Sequence, residues 1–179
     1  MPNYRRLRVT GGTYFFTVNL QDRRSDLLTK HAGKLKHAYN AVIQDWPVET
    51  LALCILPDHL HCIWQLPDGD DRYSTRWRLI KTRFSKSLQR TADPAESRRP
   101  GERGIWQRRY WEHLVRDEDE LEAYTNYIHL NPVKHGLVED IDDWPHSTWH
   151  DYKKTLGRTY GPNDFANMAI PDHFLERDE

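Results

Sequence analysis

Two strand-like runs separated only by Pro57 and Asp58 constrain the fold of this chain most. Residues 50–56 and residues 59–66 are both rich in apolar side chains, and runs of this length and composition are typical of strands. Two strands joined by so short a connection are expected to pair with each other, which predicts an antiparallel hairpin. Any fold for this chain must therefore place this hairpin near its centre.

Strands and helices alternate on both sides of the hairpin. The predicted elements are a strand over 13–20, a helix over 29–46, a helix over 75–89 that Ser74 or Thr75 caps, a strand over 110–116, and a helix over 117–131 that Pro132 ends. This order fits an α+β ferredoxin-like split βαβ sandwich with a central antiparallel sheet. We expect the helices on one face of that sheet and an open face for substrate.

Length and composition predict one domain. Of the 179 residues, we assign 1–136 to the main domain and 137–179 to an acidic C-terminal extension that packs on it. Cys54 and Cys62 follow no familiar zinc or disulfide spacing, so we expect reduced, buried thiols. Neither a leader-like apolar run nor a stretch of membrane length is present, and we expect a cytoplasmic protein without a membrane partner.

The formal net charge of −1 conceals a strong asymmetry. Residues 1–109 hold 20 Lys and Arg against 11 Asp and Glu, whereas residues 110–179 hold 6 against 16. A basic segment is a hint of nucleic-acid contact, and its richness in arginine suits bidentate binding of phosphate. The alternative is an ordinary solvated surface.

Two short segments carry candidate chemistry. His59 and His61 occupy alternate positions of a predicted strand, so both project from one face and could grip a divalent metal. Tyr127 and Asn131 are four residues apart on a predicted helix and share a face. The carbonyl oxygen of Asn131 suits Mg²⁺ or Mn²⁺ and would complete a set of three ligands. The alternatives are polar histidines at a sheet edge, a core aromatic at position 127 and a helix C-cap at position 131.

Together these groups could cut a DNA strand and hold its end covalently. A phenol has a pKa near 10 and is a weak nucleophile at neutral pH. It attacks a phosphodiester usefully only if a metal polarises the non-bridging oxygens and orients the group. The product would be a 5′-phosphotyrosine with a free 3′-OH, and the retained bond energy would allow rejoining.

Four blocks of sequence resemble those of the single-tyrosine HUH transposases, and specifically of the REP-associated tyrosine transposases. The matching segments are 4–6 with 11–17, 56–64, 106–107 with 110–113, and 127–136. The resemblance implies His59 and His61 as the metal pair, Tyr127 as nucleophile and Asn131 as third ligand, with Mg²⁺ or Mn²⁺ as cofactor. Asn131 stands where the mobile insertion-sequence relatives commonly have glutamine.

The resemblance also implies a substrate, which is single-stranded DNA folded as an imperfect hairpin, the repetitive extragenic palindrome (REP). It further implies a monomer, whereas the insertion-sequence relatives are dimers that exchange the tyrosine helix in trans, and the spacing does not decide whether Tyr127 meets His59 of its own chain. We expect a nucleoid-associated protein. We expect DNA contacts from basic and aromatic side chains near the N-terminus, on the helix over 75–89 and after residue 105. These are Arg5, Arg6, Arg8, Arg76, Arg83, Lys86, Trp106, Arg108 and Arg109.

Four further polar residues occur in the same segments. Asp58 and Glu112 are candidate carboxylates at or behind the metal, whereas His113 and His129 are left outside the catalytic set. Two rival functions stay open at this point. One is a catalytically silent hairpin-binding protein, and the other is a metal-dependent hydrolase of small phosphoesters in which Tyr127 is structural.

Overall fold

A computed structural model describes residues 8–88 and 104–157 of the chain. The strands are β1 (Thr13–Asn19), β2 (Glu49–Ile55), β3 (His59–Gln65) and β4 (Trp111–Leu114). The helices are α1 (Leu27–Lys30), α2 (Ala32–Asp45), α3 (Tyr73–Ser87), α4 (Glu118–Lys134) and α5 (Trp149–Leu156), with a 3₁₀ turn at Ile141–Asp143. No helix in the described ranges is long and apolar enough to cross a membrane.

The four strands form one sheet in the order β2-β3-β1-β4, and each neighbouring pair runs antiparallel. The predicted hairpin is present as β2 and β3, joined by residues 56–58, and it is closed by a hydrogen bond from the Leu56 amide to the His59 carbonyl, 2.8 Å. This order is that of a split βαβ unit. The predicted ferredoxin-like α+β class is confirmed.

One face of the sheet packs against α2 and α3. Alternate residues of the strands point into this layer, and Trp64 of β3 stacks on Trp77 of α3 with ring centroids 4.3 Å apart. The indole of Trp64 donates to the Tyr39 hydroxyl of α2, 2.6 Å, which links the sheet to α2. Phe16, Leu60 and the thiol of Cys62 also face this side.

The opposite face is covered where we expected it to be open. Helix α4 lies over β2 and β3 and buries Tyr124, Tyr127 and Ile128 against Phe15 and Ile63 of the sheet. The expectation of a bare substrate-binding face is therefore wrong for this part of the sheet. It failed because an apolar helix after the fourth strand needs an apolar partner, and the second sheet face is the surface that offers one.

Two predicted helix boundaries also differ. Helix α3 begins at Tyr73, so Ser74 and Thr75 lie inside it and cap nothing. Helix α4 begins after Asp117, whose side chain accepts a hydrogen bond from the Glu120 amide, and it runs through Pro132 to Lys134. Asn131 is therefore an interior residue of the helix, and its interpretation as a C-cap is wrong.

Residues 137–157 pack on the remaining sides of α4 and β2. The Ile55 amide donates to the His146 carbonyl, 2.8 Å, and the Thr148 amide donates to the Leu53 carbonyl, 2.9 Å. These bonds cover the edge of β2, and Trp149 packs with Ile141 and with Leu130 of α4. The described part of the C-terminal extension is thus in contact with the sheet, while residues 158–179 lie outside the described ranges. The domain boundary at residue 136 stays a prediction.

Candidate active site

The two histidines of β3 lie side by side on the face of the sheet that α4 covers. Leu60 and Cys62, between and beyond them, point into the other layer, as the period of a strand requires. The ring centroids of His59 and His61 are 4.9 Å apart, and both residues are almost closed to solvent, with 4% and 2% exposed. The predicted alignment of the pair is therefore present.

Each imidazole is held through its Nδ1 atom. The Nδ1 atom of His61 lies 2.9 Å from the Thr17 hydroxyl on the neighbouring strand β1, and that of His59 lies 2.8 Å from a carboxylate oxygen of Asp58. The Nε2 atom of His61 is buried and has no hydrogen-bond partner among the described residues. Metal-binding histidines in proteins commonly have this arrangement, with one nitrogen anchored and the other available.

Electrostatics favours neutral His61. Burial lowers its pKa well below the ordinary value, and nearby His59, His135 and Lys134 lower it further. The neutral form is the one that can coordinate a metal. For Asp58 the charged form is favoured. Burial alone would raise the pKa of its carboxyl, but the contact with His59 and the ion pair with Arg23, 3.1 Å, outweigh burial and lower that pKa.

Helix α4 supplies the other half of the site. The ring of Tyr127 lies 5.2 Å from the ring of His61, and four residues later Asn131 is fully buried. A further turn along, the ring of His135 lies 5.5 Å from that of His59. Positions 127 and 131 share a face of α4 and His135 is its C-cap, so Asn131 lies along the chain between two side chains that contact the histidine pair.

The donor set fits a hard divalent cation. Both amide atoms of Asn131 are buried without a hydrogen-bond partner, as is Nε2 of His61. In the described ranges no group of three or more His, Cys, Asp or Glu side chains is placed to hold a metal. The Asn131 amide oxygen is a type of donor that Mg²⁺ and Mn²⁺ accept, and its role as the third ligand stays a prediction.

Two cationic side chains, Lys134 and Arg23, lie near the His59 and His61 pair. The Lys134 ammonium lies 5.0 Å above the ring of Tyr127, and Arg23 is fixed beside His59 through Asp58. Sequence reasoning missed Thr17, Arg23 and Lys134. Thr17 alone carried a signal, because it is a polar residue among the aromatic and apolar side chains of β1. The other two become visible only when β1, β3 and α4 are assembled.

The three remaining polar candidates, Glu112, His113 and His129, differ in whether they face the histidine pair. Glu112 lies opposite Phe16 in the register of β1 and β4, so it faces the α2 and α3 layer and cannot serve the histidine pair. His113 lies on the correct face, but its Nε2 atom contacts a Glu120 carboxylate oxygen, 2.7 Å. His129 points away from Tyr127 and contacts Thr148, 3.1 Å.

Arg76 requires a correction among the predicted DNA contacts. Its side chain is 1% exposed, and its guanidinium donates to the Asp70 carboxylate, 3.0 and 3.2 Å, and to the backbone carbonyls of Trp46 and Pro47, 3.0 and 2.7 Å. These bonds occupy the fork of the guanidinium and tie α3 to the end of α2. A phosphate has no access to it, so Arg76 is removed from the DNA-binding set.

The other predicted DNA contacts stay predictions. Arg8, Lys86, Arg108 and Arg109 are exposed, and Arg83 is 41% exposed beside Asp45. Trp106 is half-buried, with its ring 5.6 Å from that of Phe84 and the Lys81 ammonium over it. Arg5 and Arg6 lie outside the described residues.

A split βαβ sheet that carries a His-x-His pair, faced by a tyrosine from a helix, defines the class of HUH-type tyrosine transposases. Residues 9–131 match the family described as "Transposase IS200 like". The REP-associated tyrosine transposase of Escherichia coli K12 is 45% identical over 166 residues, which cover 93% of this chain and 92% of that protein. The chain belongs to this transposase family, in the branch of the REP-associated tyrosine transposases.

Two further comparisons agree. A Haemophilus influenzae relative that carries the same family name is 47% identical over 152 residues, covering 84% of this chain and 86% of the relative. A solved REP-associated tyrosine transposase bound to a REP hairpin superposes with a TM-score of 0.76 at 44% identity, over 92% of this chain and 90% of that one. The protein is thus an enzyme of the HUH transposase type.

Proposed function

We propose that this transposase binds REP-type palindromic hairpins of single-stranded DNA and cleaves them through a covalent 5′-phosphotyrosine on Tyr127. The observation that carries the proposal is the juxtaposition of Tyr127 with His61, 5.2 Å between rings, in a chain whose solved relative is bound to a REP hairpin. Action as a monomer is part of the proposal.

His59, His61 and Asn131 would hold Mg²⁺ or Mn²⁺. When bound, the ion supplies Lewis-acid polarisation of the scissile phosphate. The protein's own contribution is to hold two imidazoles and one amide in a buried setting. Within the described residues, Nε2 of His61 and the amide atoms of Asn131 have no competing hydrogen bonds to break. Such a preorganised set coordinates without rearranging its ligands.

In the proposed step the Tyr127 phenol oxygen bonds to the phosphorus while the bond from phosphorus to the 3′ oxygen breaks. The phenol proton passes to solvent, and the departing 3′ oxygen leaves as a hydroxyl after taking up a proton. Lys134 supports this step, because an ammonium 5.0 Å from the ring favours the negative charge that develops on the phenol oxygen. The reverse reaction with another 3′-OH joins a new strand.

Access of DNA to the phenol is restricted in this arrangement. Tyr127 is only 1% exposed, so a phosphate can reach its oxygen only after the surrounding groups shift. This burial is also the one observation that favours the alternative function, a catalytically silent protein that binds hairpins through exposed Arg83, Lys86, Arg108 and Arg109. Binding by either route would weaken steeply with salt, because phosphate contacts release counterions.

A labelled single-stranded palindrome, incubated with the protein and Mn²⁺ and run on a denaturing gel, tests the proposal. We expect a covalent adduct with the wild-type protein and none with Tyr127→Phe, while hairpin affinity stays the same. Tyr124→Phe is a matched control, since Tyr124 lies on the same buried face of α4 and its adduct should persist. Adduct formation by Tyr127→Phe would overturn the nucleophile, and tight hairpin binding without any adduct in wild type would favour the silent alternative.

A further inference from the structure

We infer that Thr17 and Asp58 are positioning residues that lock the two site histidines in the tautomer with the proton on Nδ1 and the lone pair on Nε2. The inference deepens the proposed function, because it concerns how His59 and His61 are prepared to bind the metal. Neither residue touches the reacting atoms. Each acts through the imidazole that it anchors.

Thr17 reaches His61 across the sheet. The two residues are directly opposite in the antiparallel register of β1 and β3, and the Thr17 hydroxyl oxygen lies 2.9 Å from Nδ1. Two hydrogen-bond directions are possible at that distance. If the hydroxyl donates, the proton of His61 must sit on Nε2, where it would be a buried donor with no acceptor. If Nδ1 donates, Nε2 keeps a lone pair, which the proposed metal function requires, so that function selects the second direction.

Asp58 fixes His59 more strictly. One carboxylate oxygen lies 2.8 Å from Nδ1 of His59, and the other forms the ion pair with Arg23, 3.1 Å. An ionised carboxylate can only accept hydrogen bonds, so Nδ1 of His59 must carry a proton. Arg23 is itself held by the side chain of Asn19, 2.5 Å, which limits the freedom of the carboxylate to rotate away.

The two anchors come from different parts of the fold. Thr17 belongs to the strand beside the pair, whereas Asp58 belongs to the hairpin connection that precedes it. With their Nδ1 atoms tied to opposite supports, the rings stand nearly perpendicular, at 82°. The pair is therefore oriented by the protein before any metal arrives.

Long-range ¹H–¹⁵N correlation spectra of the metal-free protein test this directly, since the ¹⁵N shift distinguishes the protonated nitrogen of an imidazole from the bare one. At about pH 8, well above the ordinary imidazole pKa of about 6.5, we expect both His59 and His61 in the Nδ1–H tautomer. Thr17→Val keeps the β-branched shape but removes the hydroxyl, and His61 should lose its single tautomer. Thr17→Ser is the matched control and should restore it.

Asp58 is tested by a parallel pair. Asp58→Ala removes the acceptor and should release the tautomer of His59, whereas Asp58→Asn offers an amide oxygen and should preserve it. Affinity for Mn²⁺ alone, followed by the loss of the free-ion signal in electron paramagnetic resonance, should fall roughly 10–100-fold in Thr17→Val and in Asp58→Ala. A double His59→Ala, His61→Ala variant gives the background, and the unfolding midpoint of each variant confirms that it is folded.

The outcomes separate the inference from the proposed function. An Nε2–H tautomer of either histidine in the wild-type protein, or unchanged Mn²⁺ affinity in both Thr17→Val and Asp58→Ala, would overturn the positioning roles while leaving Tyr127 chemistry untouched. The wild-type protein could instead hold both expected tautomers yet bind no Mn²⁺ above the background of the double variant. That result would contradict the proposed metal function and the role of Thr17 and Asp58 in preparing the histidines for a metal.

Discussion

The burial of Arg76 leads to a prediction that separates a structural arginine from a DNA-binding one. Arg76→Met keeps a long, flexible apolar stem but removes the guanidinium that pairs with Asp70 and binds the Trp46 and Pro47 carbonyls. Removing one partner of a buried ion pair costs about 3–5 kcal/mol, and Asp70 would keep only the more exposed Arg72 as a cationic partner, 3.4 Å. For a chain of this size that corresponds to a drop in the thermal unfolding midpoint of roughly 6–20 °C.

Arg83 is a matched control on the same helix. It lies seven residues further along α3 and is 41% exposed, with a single ion pair to Asp45. An exposed pair contributes only about 0–1 kcal/mol, so Arg83→Met should leave the unfolding midpoint nearly unchanged. If Arg83 contacts phosphate, its variant should instead bind the hairpin more weakly and with a shallower salt dependence.

The pH dependence gives the prediction a second test. The Arg76 guanidinium and the Arg72 amide, together with both arginine charges, outweigh burial and lower the pKa of the Asp70 carboxyl below its ordinary value. A lowered pKa in the folded state contributes stability that is complete above the unfolded value, about 3.9, and is lost as pH falls through the folded value. The difference in stability between wild type and Arg76→Met should therefore be full at pH 7 and shrink at strongly acidic pH.

Calorimetry or circular dichroism of purified protein, with hairpin affinity measured in parallel at two salt concentrations, is sufficient. If Arg76→Met unfolded at the wild-type temperature, the ion pair to Asp70 would contribute little to stability and the structural role of Arg76 would be wrong. If a fully folded Arg76→Met lost hairpin affinity as Arg83→Met does, the Arg76 guanidinium would be open to phosphate.

Two further predictions concern α4 and the segment that follows it. Asn131→Leu is expected to raise the free energy of unfolding by about 1–3 kcal/mol, because it replaces a buried amide that has no hydrogen-bond partner among the described residues by an apolar group. Its affinity for Mn²⁺ should fall. Urea unfolding and metal titration check these two results, and a destabilised variant would show that the amide is satisfied. Trp149→Ala should lower the free energy of unfolding by about 3–5 kcal/mol, since Trp149 packs on Leu130 and Ile141. Its urea unfolding should remain a single transition, whereas two transitions would contradict one domain that includes residues 137–157.

The periodicity of the sequence was sufficient to predict features that depend on a single strand or helix, or on two that are adjacent in the chain. The alternation of β3 placed His59 and His61 together, and the short connection at Pro57 and Asp58 predicted the hairpin that supports them. The spacing of Tyr127 and Asn131 likewise placed both on one helix face. Each of these inferences requires only the geometry of a strand, a turn or a helix.

Features that depend on tertiary partners were not predictable in the same way. Arg76 and Arg83 lie seven residues apart, so helical period puts them on nearly the same stripe of α3, yet one is buried and the other exposed. The difference arises because Arg76 meets Asp70 and the carbonyls at the end of α2, which no periodicity in α3 reveals. The prediction that Pro132 ends the helix failed for a related reason. Only Val133 and Lys134 of α4 lie beyond it, so the missing amide interrupts the helix near its end, where packing can tolerate the loss.

The candidate site contains buried polar groups that oppose the stability of the fold. Among the described residues, three buried polar atoms of His61 and Asn131 have no hydrogen-bond partner. His61 lies on the sheet face whose apolar side chains pack against α4, and Asn131 belongs to that helix. A sequence that optimised stability alone would place apolar side chains at these two positions, because each unsatisfied buried polar atom opposes folding. Their presence beside Tyr127, with Nδ1 of both histidines already anchored by Thr17 and Asp58, is explained if the missing partner is the cation. Metal binding should therefore stabilise the folded protein, by an amount that rises with the logarithm of Mn²⁺ concentration above the dissociation constant, and this rise should vanish in Asn131→Leu combined with His61→Ala.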